Sequence, residues 1–332
     1  MRQFQRVLAQ LKDVVLNHKP GENLKAPPLL PFITVNGRKV YYAAMGLEND
    51  ASQPAVVLLH GFGGFFMDWP RVMAPISRHA RVYALDLPGW GFSEMNPESK
   101  SMEDDVTILR EFMRELGLEK VILGGLSYGA GVAWAAAAMN LPRIQRVVLI
   151  NPMPPHPLRY FISPIYKAIF AICRSRTGAH FGNRLMGKAH YKIICRENLL
   201  NDRLLDSFYL DLAYLVMKQP KMSSMLHSHA RGAGSVDWNE WERRLSKSRV
   251  PVSILQGLQD RVFSFESAAH LYDLIPNSEL IEVDQCGHAM CFDQPRKVSD
   301  FFIAALTRQE ESLEQEASRE ATPVKLSRAA GK

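Results

Sequence analysis

Several absences narrow what this chain of 332 residues can be. It has no uninterrupted apolar run of about 18 residues, so no membrane-spanning helix is expected. Residues Met1 to Leu16 are broken up by Arg2, Arg6, Lys12 and Asp13, a pattern unlike the apolar stretch of a secretory signal. Cysteine is scarce, and Cys173, Cys195, Cys286 and Cys291 show neither a disulfide framework nor metal-site spacing. A reduced, cytoplasmic location is therefore expected, and Cys286 reads as a small buried hydrophobe. No internal repeat is visible. The net charge is +6, but the basic residues are scattered and no recognition motif accompanies them, so no nucleic-acid partner is expected.

What is present is a substantial apolar fraction, 47% of residues, enough for a sizeable core. Its most informative stretch is Gly125-Leu126-Ser127-Tyr128-Gly129. The pentapeptide reads G-x-S-x-G between an apolar β-type run, Lys120 to Gly124, and the helix-forming run Ala130 to Met139. A serine at a sharp strand-to-helix turn is a nucleophile elbow. The tight backbone needs small neighbours, which accounts for Gly125 and Gly129. The helix N-terminus beneath the serine favours negative charge.

Four further segments agree. Pro54 to Leu59 reads as a buried parallel strand running into the loop His60-Gly61-Phe62-Gly63-Gly64. Such a loop lets backbone N–H groups approach a ligand oxygen, and the N–H groups of Phe62 and Tyr128 are assigned as the two oxyanion donors. His60, ahead of that loop, is read as structural. Arg81 to Ser93 is another strand ending in a Pro/Gly turn, with Asp86 tying down its own loop through side-chain-to-backbone hydrogen bonds. Pro251 to Gln259 leads to Asp260, a carboxylate at a strand's C-terminal end and placed to orient a histidine. Glu279 to Val283 is the last strand, followed by Gly287-His288 in a loop. The order Ser127, Asp260, His288 is that of a serine nucleophile, acid and base. Should Asp260 fail as the acid, Asp284 and Asp86 come next; Asn151, after the Val147–Ile150 strand, cannot serve as a carboxylate.

On these residues the chain resembles the α/β-hydrolase superfamily, over roughly residues 32 to 305. The resemblance implies an α/β fold with a mostly parallel sheet flanked by helices and a helical cap inserted after the sixth strand. It is nearest to capped microbial lipases, esterases and monoacylglycerol lipases. Ala130 stands where many relatives have a second glycine.

The organisation expected is an N-terminal amphipathic helix within 1–28, a core over 29–152 and 250–307, a helical cap over 153–249 and a polar tail over 308–332. Phe4, Val7, Leu8, Leu11, Val14 and Val15 share one helical face, read first as packing on the body and second as lying on a membrane surface. Phe32 to Tyr42 reads as a hairpin with an Asn-Gly turn at Asn36-Gly37. In the insert, Phe161, Ile165, Ile169 and Ile172, near the breaker Pro164, and Leu204, Phe208, Leu212 and Leu215 have helical spacing. Phe161, Ile165, Phe208 and Leu212 are the candidate substrate-binding residues. Between Pro152 and Arg249 stand sixteen Lys/Arg against seven Asp/Glu, so peripheral contact with anionic lipid is a second reading for the cap. Arg308 to Glu320 is charged and helix-prone, and Thr322 to Lys332 is expected to be disordered.

The function expected is hydrolysis of a small-molecule carboxylic ester, with a hydrophobic acyl group, through an acyl-enzyme on Ser127. No cofactor or metal is called for; His227-Ser228-His229 has no further ligands clustered nearby in sequence. Ser127 argues against dehalogenases and epoxide hydrolases, which would need an aspartate there. Carbon–carbon bond hydrolases and cofactor-free perhydrolases share the triad and remain enzyme alternatives. A ligand-binding or scaffold protein on a hydrolase fold is a different class, one usually accompanied by a damaged triad or oxyanion loop.

Overall fold

The computed structural model describes residues 2–19, 22–46, 53–95, 102–201 and 204–320, with 308–320 as backbone. The chain opens on α1 (Arg2–Asn17) and the hairpin β1 (Phe32–Val35) and β2 (Arg38–Met45). Asn36 and Gly37 both take positive φ, at 50° and 73°, which is the turn that Asn-Gly favours because its twist matches that of the paired strands. Then follow β3 (Ala55–Leu59), α2 (Pro70–Ile76), β4 (Val82–Leu85), α3 (Met102–Glu115), β5 (Val121–Leu126), α4 (Tyr128–Ala138) and β6 (Ile144–Ile150). The strand–helix alternation stops there. The segment up to the next strand holds α5 (Pro157–Tyr160), α6 (Pro164–Cys173), α7 (Arg176–Leu185), α8 (Lys188–Glu197), α9 (Ser207–Met217), α10 (Lys221–Gly232) and α11 (Trp238–Leu245). The chain then returns to β7 (Val252–Gly257), α12 (Phe265–Leu274), β8 (Ser278–Val283), α13 (Met290–Asp293) and α14 (Pro295–Glu320).

The eight strands form one sheet in the order β1-β2-β4-β3-β5-β6-β7-β8. β2 runs antiparallel to β1 and β4, and the remaining pairs are parallel. The central strands β3, β4, β5 and β7 are buried at every residue, as expected where helices cover both faces of a parallel sheet. β5 shows how close that cover is. A Cβ on Gly124 would lie 2.3 Å from the ring of Phe302 in α14, and one on Gly125 would lie 2.3 Å from Gly129 O in α4. Successive residues of a strand face opposite sides, so α14 and α4 pack on opposite faces, and their close approach depends on two adjacent glycines.

The N-terminal helix packs on the body through Phe4, Val7 and Leu11, all buried, against α9 and β2. Pro164 does not break a helix: it occupies the first turn of α6, after Ser163, whose Oγ accepts the Tyr166 N–H. Phe161 accordingly lies outside that helix, in a bridge with Phe263. Residues 308–320 continue α14, and Thr322 to Lys332 lie outside the described residues.

The docking of α1 is directly testable. Leu11 is fully buried, and Leu11→Ala should cost about 2–5 kcal/mol of unfolding free energy. Urea unfolding checks this; a loss below about 0.5 kcal/mol would mean that α1 does not pack as described.

Candidate active site

Ser127 sits between β5 and α4 with φ 53° and ψ −112°, in a region that a non-glycine residue occupies only under constraint. Its N–H donates to Ile150 O on β6 at 3.0 Å, and its carbonyl accepts from Gly131 N and Met153 N, each at 3.0 Å. The space around it is closed by backbone. A Cβ on Gly129 would meet Leu59 O at 2.3 Å, and one on Gly61 would lie 3.3 Å from the Ser127 Cβ. The β3 loop that contains Gly61 and Phe62 is therefore pressed against the elbow. Phe62 and Tyr128 follow neighbouring strands, and both line the cavity that holds Ser127.

Asp260 follows β7, and His288 lies beyond β8. His288 Nδ1 and Asp260 Oδ2 are 2.8 Å apart and buried. The other carboxylate oxygen, Oδ1, accepts the Val262 N–H at 2.7 Å and the Phe263 N–H at 3.2 Å. With Oδ1 held by these two amides, Oδ2 faces the imidazole. His288 and Ser127 line the same cavity. Asp284, by contrast, is exposed and accepts from Gln259 Nε2. Asp86 is buried in its own turn and accepts from Phe92 N at 2.8 Å and Phe66 N at 2.6 Å, so it ties down a second loop as well as its own. His60 Nδ1 lies 2.8 Å from Gly61 O, and His60 Nε2 accepts from Leu87 N at 3.0 Å. Burial holds its imidazole down at about 4, so it is a neutral tie between the β3 and β4 loops.

One residue whose role only the fold reveals is Asn151. It follows β6 with φ 40°. Its Nδ2 donates to Gly287 O at 2.9 Å and His288 O at 2.7 Å, and its Oδ1 accepts Gly257 N at 2.7 Å. It thus clasps the histidine loop to the end of β7. Its place after a strand of the sheet is the signal the sequence offered, but the partners lie more than a hundred residues away.

The cavity measures about 530 Å³ and runs from the strand ends into the insert. Phe161 lines it and stacks on Phe263 at 4.6 Å between ring centroids. Ile165, Phe208 and Leu212 are not among the lining residues, which corrects three of the four candidates. On α6 the cavity is met by Tyr166, Ile169 and Phe170, and Leu205, Tyr209 and Met217 meet it around α9. For Ile165 and Phe208 the correction is a rotation of about 100°, one residue along the helix, to Tyr166 and Tyr209. Leu212 is fully buried in the main core, and α9 packs against α1 and α8. Periodicity identified an apolar stripe on α9, but that stripe faces protein.

The cavity also holds buried polar groups that periodicity could not reveal. Asp68 Oδ1 accepts the Tyr209 hydroxyl at 2.7 Å, and Asp105 Oδ2 accepts the Tyr128 hydroxyl at 2.5 Å. Burial pushes both carboxyls up to about 7, against the pull of those hydrogen bonds. His229 Nδ1 lies 2.9 Å from Met225 O, and its ring packs edge-on against Tyr128, Trp90 and Phe62. Burial lowers its pKa to about 4. His227 Nδ1 lies 3.0 Å from Cys173 O.

Residues 54–295 match the family model described as the alpha/beta hydrolase fold. The chain belongs to that family. It is 27% identical over 294 residues to an AB hydrolase superfamily protein of Bacillus subtilis, covering 84% of this chain and 98% of that one. It is 26% identical over 273 residues to a 2-hydroxy-6-oxononadienedioate/2-hydroxy-6-oxononatrienedioate hydrolase of Cupriavidus pinatubonensis, covering 77% and 88%. Among solved structures, a candidate lipase from Acinetobacter baumannii superposes with a TM-score of 0.73 at 17% identity, covering 93% of this chain and 97% of that one. A meta-cleavage product hydrolase from Pseudomonas fluorescens superposes with a TM-score of 0.67 at 22% identity, covering 81% and 96%. At these identities the structural matches speak to fold. The mostly parallel, helix-flanked sheet read from the sequence is the fold observed.

The raised carboxyl pKa values give a pH signature. Asp68 binds its proton more tightly folded than unfolded, so its contribution to stability is present below about 4 and is lost as pH rises toward about 7. His60 and His229 act in the opposite sense over an overlapping range, so a difference measurement is required. Asp68→Asn keeps an acceptor for Tyr209 and stays neutral. The melting temperature of the variant should gain on wild type as pH rises from about 4 to about 7. A constant difference over that range would show that Asp68 does not bind a proton in this environment.

Proposed function

We propose that this chain is a serine hydrolase that cleaves carboxylic esters carrying a hydrophobic acyl group, through an acyl-enzyme on Ser127. The observation that carries the reading is a serine at a positive-φ elbow in a cavity also lined by His288, which is paired with the buried Asp260. In this reading Ser127 Oγ attacks the ester carbonyl while His288 Nε2 takes its proton. The negative charge formed on the carbonyl oxygen is held by the Phe62 and Tyr128 N–H groups. Collapse expels the alcohol, which takes the proton back from His288. Water, deprotonated by His288, then releases the acid from Ser127. Asp260 fixes the imidazole with Nδ1 protonated and Nε2 facing the serine, and it stabilises the imidazolium that forms twice per cycle. These steps draw on no metal or organic cofactor.

The cavity chemistry favours a neutral substrate. Among the described residues no Lys or Arg lines it, while Asp68 and Asp105 do. A dicarboxylate of the kind named for the Cupriavidus relative would bring negative charge with no cation to meet it, at a heavy desolvation cost. Carbon–carbon cleavage of such a substrate is disfavoured on that ground. An acyl chain among Met153, Phe161, Phe170 and Met217 loses water at no polar cost.

Ser127→Ala should fold normally and lose about 10⁴-fold or more in kcat on p-nitrophenyl esters. Retention of more than a few per cent of the activity in purified variant would remove Ser127 from the chemistry. Across p-nitrophenyl esters of increasing acyl length, kcat/KM should rise about fourfold per methylene, corresponding to about 0.8 kcal/mol each, until the cavity is filled. A profile that is flat or falls from acetyl onward would sink the hydrophobic-acyl reading.

A further inference from the structure

The insert's outer surface carries large apolar side chains in a field of one charge sign. Ile172 at the end of α6 is 51% exposed, Phe181 and Leu185 on α7 are 53% and 75% exposed, and Ile193 on α8 is 51% exposed. Phe181 and Leu185 lie one turn apart, hence on one face of α7. The end of α6 meets that helix, since Ile172 Cγ2 sits 3.4 Å from where a Cβ on Gly182 would lie. Isolated exposed apolar residues are ordinary, but exposed apolar residues that meet across two helices, as Ile172, Phe181 and Leu185 do, mark an interaction surface.

Two of these residues are also part of the cavity. Ile172 and Leu185 line the same space as Ser127 and His288. Residues that are at once half or more exposed and cavity-lining define a mouth, here at the α6–α7 junction. The charge around it is one-sided. From Met153 to Arg196 the sequence contains eight Lys/Arg and no Asp or Glu. Lys167, Arg174, Arg176, Arg184 and Lys192 among them are exposed. Lys188 pairs with Asp211 of α9, outside this stretch.

We propose that the α6–α7–α8 face is a docking surface for an anionic phospholipid membrane and that the cavity mouth opens onto the bilayer. Phe181, Leu185, Ile172 and Ile193 enter the acyl–headgroup boundary while the basic residues meet the lipid phosphates and anionic headgroups. Among the described residues no helix is long and apolar enough to cross a membrane, so the contact lies in the interface plane. An acidic protein surface would match the charge, but it would give no reason for the apolar residues to ring an entrance. With the mouth at acyl depth, a lipid-borne acyl ester reaches Ser127 without its chain crossing water. That last consequence rests on the ester-hydrolase reading; the docking itself does not.

Co-sedimentation of the full-length Ser127→Ala protein with vesicles tests the docking without any dependence on turnover. The protein should pellet with vesicles of phosphatidylcholine mixed with phosphatidylglycerol, far less with phosphatidylcholine alone, and less as salt is raised. Arg174→Glu combined with Arg176→Glu should weaken binding by about twentyfold or more, because each cation near such a surface contributes about fivefold. Phe181→Glu should weaken it by about tenfold or more through lost apolar insertion. All three positions are exposed, and far-UV circular dichroism monitors folding. In the Ser127 background, Phe181→Glu should hydrolyse a water-soluble short-chain ester at the wild-type rate while losing rate on a vesicle-embedded ester. The proposal is overturned by failure to pellet with anionic vesicles, by equal pelleting with both vesicle types, or by binding that neither variant weakens. Sedimentation as described without hydrolysis of any ester would refute the proposed activity and leave the docking standing.

Discussion

The elbow at Ser127 is the constraint on which the rest of the site depends. Holding a non-glycine residue at φ 53° costs on the order of 1–3 kcal/mol, and the surrounding backbone leaves it little alternative. Ser127 N is tied to β6, and its carbonyl is claimed by Gly131 and Met153. Gly61, Gly125 and Gly129 remove the side chains that would hold β3 and α4 apart from the turn. The result is a hydroxyl at the carboxyl edge of the sheet, over the first turn of a fully buried helix, with the β3 loop close beside it. The same closeness is what would bring two peptide N–H groups to one oxyanion.

A second constraint fixes the imidazole. Asp260 and His288 sit on loops after β7 and β8, and a loop gives little precision by itself. Precision comes from bonds behind the pair: two backbone amides on Asp260 Oδ1, and three hydrogen bonds from Asn151 that join the ends of β6 and β7 to the histidine loop. Asp86 and His60 perform the corresponding task on the other side, locking the β3 and β4 turns.

Much of this was legible in the sequence because it is local. The strand runs, the Asn36-Gly37 turn, the elbow and the loop placement of Asp260 and His288 all follow from residues adjacent in the chain. The insert is where legibility failed. Helical spacing marked apolar stripes on α6 and α9, but a stripe can face a cavity or another helix, and the period is the same in both cases. Leu212 is buried against protein, whereas Tyr209, three residues earlier, faces the cavity. Pro164, a breaker inside a helix, begins one here, a role proline fills equally well. Asn151, Asp68 and Asp105 acquire their meaning from partners distant in sequence, such as Gly287 and Tyr209, which only the fold brings near.

The proposed chemistry requires that Ser127 be a nucleophile activated by the His288–Asp260 pair. Covalent labelling with a fluorophosphonate, followed by peptide mass spectrometry, tests it without knowledge of the substrate. One adduct is expected, located on Ser127, with labelling strongly slowed in folded His288→Ala protein because the hydroxyl then has no base. No adduct, an adduct on another residue with Ser127 unmodified, or a rate indifferent to His288 would contradict it.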